Sequence, residues 1–240
     1  MKVLAINSSP RMDKGNTALI LNPFLEGMEK AGADVELFYT RKLNINPCTG
    51  EFNCWLKTPG KCYHDDDMKI ILPKFVEADV IVIASPVYVF GITGPMKNLF
   101  DRIIPRVHPF IELRDGHSHH PSREKSKICK YVLVSNCGFW EKDNFDPLIS
   151  YMETYCKNTG SEFAGALLRP HGEAMSGMLK MGIPIGDIFE AAKEAGRQLV
   201  ENQKMSQETL NVVSRELLPR EMYIQYANQS FQQALEALKK

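Results

Sequence analysis

Five short apolar runs punctuate the chain: Val3–Ile6, Val35–Tyr39, Val80–Ala84, Tyr131–Val134 and Ala164–Leu168. Most are continuous rather than alternating, the pattern of strands covered on both faces. Between them, apolar residues recur at helical spacing. They predict helices over Thr17–Ala31 (closed by Gly32), Met68–Glu77, Pro95–Ile103, Pro147–Lys157 (ending before Gly160) and Ile188–Asn202. Pro23 and Pro73 fall inside two of these helices, where each should remove a hydrogen bond and kink the axis. Strand and helix alternate five times, which predicts an α/β class with a doubly wound parallel sheet.

Two long connections interrupt the alternation, Leu43–Asp67 and Pro105–Lys127. Connections of that length inside a compact domain usually carry function. The tail, Ser206–Lys240, reads as two amphipathic helices broken at Pro219, with Leu210, Val213 and Leu217, then Phe231, Leu235 and Leu238, at helical spacing. This divides the chain into a main domain, 1–202, and a helical extension, 203–240, that should pack on the domain or on a dimer partner.

Composition narrows the function classes. The 240 residues are 44% hydrophobic, enough for a sizeable core, and 29 Lys plus Arg balance 29 Asp plus Glu. A chain without net charge has no global electrostatic drive towards nucleic acid or anionic membranes. The first apolar run is too short for a secretory segment. The longest, Val80–Ile92, is interrupted by Ser85, Pro86 and Gly91 and is too short to cross a bilayer. The expectation is a cytoplasmic protein with neither nucleic-acid nor membrane partners.

In open parallel sheets, ligands bind outside the carboxyl ends of the strands. After the first strand comes Asn7-Ser8-Ser9-Pro10-Arg11-Met12-Asp13-Lys14-Gly15-Asn16-Thr17. Small hydroxyl residues, a guanidinium and a Gly-Asn-Thr triplet at a helix start make a seat for a phosphate. An ordinary strand-to-helix turn capped by Asn16 or Ser9 would use the same residues. After the third strand, Ser85–Gly91 presents a rigid Pro86, an aromatic Tyr88 and backbone N–H groups suited to the edge of a flat heterocycle. After the fourth strand, Ser135-Asn136-Cys137-Gly138-Phe139-Trp140 offers close approach at Gly138 and a second aromatic wall. Each loop alone also reads as a normal turn with a packed aromatic; three on one edge point to a planar phosphorylated cofactor.

Ser8-Ser9-Pro10-Arg11 with Gly15-Asn16-Thr17, followed by Ala84-Ser85-Pro86-Val87-Tyr88, Gly94-Pro95-Met96-Lys97 and Asp101-Arg102, resembles the flavodoxin-like NAD(P)H-dependent FMN reductase family, close to its iron–sulfur flavoprotein branch. The resemblance runs from Met1 to about Asn202. It implies a five-stranded sheet in the order 2-1-3-4-5, extra C-terminal helices and FMN as cofactor. It assigns the phosphate to Ser9, Arg11, Asn16 and Thr17, the isoalloxazine to Pro86, Val87, Tyr88 and Val89, and the far side to Cys137 and Gly138. Backbone N–H groups of Tyr88–Gly91 would tune the ring, and Met96-Lys97 and Asp101-Arg102 would be structural. It implies hydride transfer from NAD(P)H to flavin N5, then reduction of a quinone, flavin, nitro-compound or similar small acceptor by a ping-pong route, with no catalytic acid or base. It also implies a homodimer or higher homo-oligomer. Two other readings use the same residues: a flavodoxin-like or iron–sulfur flavoprotein-like electron carrier, and a binding module that has lost its cofactor.

The cysteines depart from the branch pattern. Iron–sulfur flavoproteins carry C-x2-C-x2-C followed by a fourth cysteine. Here Cys48, Cys54 and Cys62 are present and Glu51 stands at the second position. A carboxylate is a hard, poor ligand for a cluster. Zinc held with Glu51 or His64 as fourth ligand is one alternative; a loop of free thiols, with Trp55 and Cys54 covering the flavin or a partner, is the preferred one, and no metal is assigned. The remaining Cys129, Cys137 and Cys156 read as buried small hydrophobes. His117-Ser118-His119-His120 reads as solvated surface, which the resemblance places in a variable loop near the flavin, and Asp65–Asp67 reads as the cap of the following helix.

Overall fold

A computed structural model describes residues 1–123 and 128–239. Along the chain run β1 (Lys2–Asn7), α1 (Asn16–Lys30), β2 (Asp34–Tyr39), α2 (Asn53–Leu56), α3 (Met68–Glu77), β3 (Val80–Ala84) and α4 (Gly94–Asp101). Then come β4 (Glu112–Arg114), β5 (His117–His119), β6 (Lys130–Asn136), α5 (Asp146–Thr159), β7 (Glu162–Arg169), α6 (Gly172–Lys180), α7 (Gly186–Asn202), α8 (Gln207–Ser214) and α9 (Arg220–Ala237). The five expected strands form one sheet in the order β2-β1-β3-β6-β7, every pair parallel. This is the flavodoxin-like order expected from the sequence. Residues 124–127, the end of the Pro105–Lys127 connection, and Lys240 of the tail lie outside the described residues.

Continuous apolar strands feed two cores because neighbouring side chains leave a strand on opposite faces. Val3, Ala5, Val80, Val82, Val132 and Val134 enter the core under α1, α7 and α8. Leu4, Ile6, Ile81, Ile83, Tyr131 and Leu133 enter the core under α3, α4 and α5, where Cys129 and Cys156 are buried as expected. Both α1 and α3 continue through their internal prolines.

On the first face, α1 and α7 meet backbone to backbone. A Cβ added at Gly27 would fall well inside van der Waals contact with the Lys193 carbonyl, and one at Gly196 would strike the Phe24 carbonyl. Both glycines are buried, so neither helix can move aside cheaply.

On the second face, the Leu43–Asp67 connection hangs from a buried ion pair. Arg102 donates to both carboxylate oxygens of Asp66, at 2.7 and 3.0 Å, and to the Asn46 carbonyl at 2.6 Å. Asp66 also accepts from the backbone N–H groups of Asn46 and Met68. The cap expected of the Asp65–Asp67 run is therefore also the anchor of the loop. Burial alone would raise the Asp66 carboxyl, but the Arg102 guanidinium and the two N–H groups outweigh it and hold it at about 2.

The tail divides as expected, with Ser206 capping α8 and α9 starting after Pro219. Its attachment is a second buried cation. Arg169, fully buried at the end of β7, donates to the carbonyls of Val213 (2.8 Å) and Arg215 (2.6 Å), closing the carboxyl end of α8. Beyond, α9 has no buried residue; Tyr223 donates to the Gly138 carbonyl and Arg220 lies over the Trp140 ring at 5.8 Å.

Gly27→Ala and Gly196→Ala are each expected to lower stability by about 1–3 kcal/mol through overpacking. Gly177→Ala in α6, whose added methyl meets nothing within 4 Å, should be neutral or gain up to about 1 kcal/mol of helix propensity. Urea unfolding midpoints compare the three. Arg102→Leu leaves the Asp66 charge buried alone and should lose about 3–5 kcal/mol. In the unmodified chain, Asp66 is ionised in the fold at pH values where the unfolded chain protonates it. Its contribution, about 2 kcal/mol, is complete above the ordinary carboxylate pKa and disappears as the pH falls from about 4 towards 2. Acid titration of the two proteins followed by circular dichroism should show that loss in the unmodified chain and not in Arg102→Leu.

Candidate functional site

A cleft of about 270 Å³ opens at the carboxyl edge of the sheet, lined by Ser9, Arg11, Asn16, Thr17, Pro86, Val87, Tyr88, Asn136, Cys137, Gly138 and Glu173. It brings together nine of the ten residues assigned from the sequence. The loop after β1 is drawn tight by its own bonds: the Ser9 N–H donates to Asn7 Oδ1 at 2.8 Å, and Met12 turns into the left-handed region at φ 50°. Gly15 lets the loop close on itself, since a Cβ there would come within 2.5 Å of Ser9 Oγ and turn that hydroxyl out of place. At the start of α1, Gly15 supplies no side-chain cap, so N–H groups of the first turn remain for a ligand.

Cross-loop bonds fix the three strand ends against one another. Thr17 Oγ1 donates to Asn136 Oδ1 at 2.5 Å, and the Val87 N–H donates to the Asn136 carbonyl at 2.9 Å. Ser8 Oγ reaches the Ala84 carbonyl, Ser135 Oγ the Ser85 carbonyl and Ser85 Oγ receives the Thr93 N–H. The phosphate-like loop, the aromatic loop and the loop after β6 therefore form one hydrogen-bonded unit.

Val89 is the tenth assigned residue, and it is not brought to the cleft wall. It stands at the tip of a tight turn, 94% exposed, with φ 48°, beside Phe90 at φ 60°. The turn closes by reciprocal bonds between Tyr88 and Gly91, at 3.0 and 3.1 Å. Two of the N–H groups expected to face a ring edge are thus spent within the turn, leaving those of Val89 and Phe90. Two left-handed residues in succession are strained without glycine, above all a β-branched one.

On the opposite wall, burial pushes the Cys137 thiol up, so it stays neutral and apolar; its Sγ donates to the Phe139 carbonyl at 3.2 Å. Behind that wall lies His171, buried, with φ 41°. Burial and then the neighbouring Arg169 charge lower its imidazole to about 4. Its Nε2 accepts from the Leu217 N–H at 3.1 Å, and its ring stacks on Trp140 at 6.1 Å. Trp140 Nε1 in turn donates to the Leu218 carbonyl at 3.0 Å. The strap between α8 and α9 thereby braces the cleft wall from outside.

Sequence reasoning passed over Asn136, Glu173, Ser176 and His171. Asn136 lies within a loop already placed at the edge. The other three follow β7, whose carboxyl end belongs on the same edge by the same rule. Arg11 Nη1 lies 3.2 Å from Glu173 Oε1, and Ser176 Oγ donates to Asn16 Oδ1. The helix that carries Glu173 and Ser176, α6, was not expected at all.

The thiols gather elsewhere. Cys48, Glu51, Cys54, Cys62 and His64 line a recess of about 10 Å³ together with Arg102 and Pro105. Glu51 is engaged by the Thr49 hydroxyl at 2.6 Å, and burial, then the neighbouring Cys62, push the Cys54 thiol up. Among the described residues, no group of three or more His, Cys, Asp or Glu is arranged to hold a metal ion. Trp55 does not line the cleft; it donates to the Ile104 carbonyl at 3.3 Å and lies against Phe52 and His120. The histidine cluster forms β5 and its end: His117 meets Lys157 Nζ at 3.1 Å, and His120 Nδ1 meets the Phe110 carbonyl at 2.9 Å. No helix is long and apolar enough to cross a membrane among the described residues.

Residues 1–118 match the family described as NADPH-dependent FMN reductase. The chain is 40% identical over 105 residues to an iron–sulfur flavoprotein of Methanocaldococcus jannaschii, covering 44% of this chain and 53% of that one. It is 40% identical over 102 residues to an iron–sulfur flavoprotein of Archaeoglobus fulgidus, covering 42% and 48%. The chain thus spans about half the length of the curated relatives it matches. Among solved structures, an FMN-dependent NADH-azoreductase from Bacillus anthracis in complex with FMN superposes with TM-score 0.61 at 17% identity, over 83% of this chain and 99% of that one. An NAD(P)H:quinone oxidoreductase from Methanothermobacter marburgensis gives 0.58 at 16%, over 83% and 96%. At such identities the superpositions speak for the fold, and the family match, residues 1–118, covers the phosphate-like and aromatic loops.

Proposed function

We propose that this chain is an FMN-dependent oxidoreductase that takes reducing equivalents from NAD(P)H and passes them to a small acceptor of the quinone, flavin or nitro-compound kind. The observation that carries the proposal is the single cleft in which an uncapped helix start, Ser9, Arg11, Asn16 and Thr17 lie at one end and Pro86, Val87, Tyr88, Cys137 and Gly138 at the other. A phosphate fits the first end by donor type, and a flat ring fits the second, between the aromatic loop and an apolar thiol. FMN, when bound, supplies the hydride-accepting and hydride-donating chemistry. The protein binds, orients and excludes water, and needs no side chain to move a proton.

The matched family and the activities by which the structural neighbours are named agree with this reading. An iron–sulfur cluster does not fit the second site. Its lining offers three thiols rather than four, with Glu51, already hydrogen-bonded to Thr49, and His64 beside them, around a recess that holds about one water.

We also propose a homodimer. Ile224, Phe231 and Leu235 lie exposed along α9 and Leu238 just beyond it, on an arm anchored at the cleft rim through Tyr223 and Gly138, so a second copy of this chain is its expected partner. Size-exclusion chromatography with light scattering should give twice the chain mass, and a shortened chain ending at Pro219 should give one; a monomeric full chain overturns this part.

Purified protein incubated with FMN should show the paired near-ultraviolet and blue bands of a bound flavin. Anaerobic mixing with NADH or NADPH should bleach them, and a quinone should restore them. Arg11→Ala should weaken FMN about tenfold, or ~1.4 kcal/mol, while leaving riboflavin nearly unchanged. A protein that takes up no FMN, or a bound flavin that neither nucleotide bleaches, defeats the proposal.

A further inference from the structure

We infer that Glu173 is a specificity-determining residue: an internal rival of the ligand's phosphate that occupies Arg11 and lowers the preference of the seat for phosphorylated over unphosphorylated flavin. The inference rests on the flavin-phosphate reading above and goes beyond it, since neither the sequence motifs nor the matched region, residues 1–118, includes this position.

Arg11 and Glu173 are the only charged residues among those described as lining the cleft, and they face each other at 3.2 Å. Their side chains are 58% and 54% exposed, so the pair adds little to stability and its carboxylate is open to the space a ligand would enter. Glu173 cannot withdraw with its helix. The Gly172 N–H donates to the Cys137 carbonyl at 2.9 Å, Ser176 Oγ donates to Asn16 Oδ1, and Met175 is fully buried in the core beneath α1. The first turn of α6 is therefore locked against the phosphate loop with its carboxylate at Arg11, the one cation among the residues described as lining the cleft.

A phosphate arriving at Ser9, Asn16 and Thr17 meets a guanidinium whose charge is already answered. It must either displace the carboxylate or share Arg11 with it, and in both cases a like charge remains a few ångströms away. The donor groups of the seat are kept, while its net charge is zero. Such a seat grips a phosphate by hydrogen bonds and gains little from charge. It suits a flavin that exchanges with solution more than one that is retained permanently.

Glu173→Gln keeps the shape and an acceptor oxygen for Arg11 and removes the charge. Titrations of the intact chain and the variant with FMN and with riboflavin, followed by flavin fluorescence, give two affinity ratios. FMN should tighten about fivefold in the variant and riboflavin should change less than twofold, with thermal unfolding unaltered. Inorganic phosphate, read by its shift of the unfolding midpoint, should stabilise the variant more than the parent. An unchanged FMN-to-riboflavin ratio, or weaker FMN binding in the variant, overturns the inference and makes Glu173 a bystander or a support for Arg11. If neither flavin binds either protein, the flavin reading falls; the phosphate comparison then decides the inference about the seat, and an equal shift in the two proteins overturns it.

Discussion

The close approach of α1 to α7 is the constraint on which the cleft depends. Two helices normally stand apart by the thickness of their side chains. Here Gly27 and Gly196 let backbone touch backbone, so α1 is pinned near its carboxyl end. A rigid helix pinned at one end presents its other end at a fixed place. That other end, Asn16 and Thr17, is the start of the proposed phosphate seat. The direction of the free N–H groups is set some fifteen ångströms away, about the rise of ten or so helical residues, by two positions that carry no side chain.

A second constraint acts from the far side. In most folds a buried arginine is matched by a carboxylate; Arg169 is matched by the carbonyl ends of α8 instead. Burial, followed by the nearby Arg215 charge, brings its guanidinium down to about 10, still charged at neutral pH. A helix end carries partial negative charge, so the arrangement satisfies both partners. It also couples the tail to β7, and through His171, Trp140 and Leu218 to the wall that holds Cys137 and Gly138. The C-terminal extension is thus continuous with the main domain up to Pro219.

Much of this was legible in the sequence because it rests on local physics. Buried parallel strands leave uninterrupted apolar runs, and Val80–Ala84 is visible as one in any context. Glycine in a loop before a helix, as at Gly15, announces a close approach. The tail helices were legible from Ser206 and Pro219. The elements that escaped are those whose reason lies elsewhere in the chain. The α6 segment, Gly172–Lys180, is short and holds two glycines and a serine; it is held in place because Met175 reaches the core and Ser176 finds Asn16. The β4–β5 hairpin is marked by Asp115-Gly116, both of positive φ, but its strands are only three residues long and leave no alternating pattern to read. Glu173 was invisible because its meaning depends on Arg11, 162 positions away.

The Leu43–Asp67 connection shows the same principle with the opposite outcome. Its spacing of cysteines invites a metal as the reason for its shape, since a loop of that length must be ordered by something. The structure supplies another reason. Asp66 and Asp67 accept backbone N–H groups from Met68, Asn46 and Asn44, and Arg102 reaches across to bind both Asp66 and the Asn46 carbonyl. These bonds tie both ends of the loop to α4 and bring Cys48, Cys54 and Cys62 together as a consequence. The thiols are neighbours because a buried ion pair folds the segment that carries them, so their proximity by itself says nothing of a ligand. The residue on which this loop hangs is therefore Arg102, which the resemblance marks as structural and whose partner, Asp66, only the fold reveals.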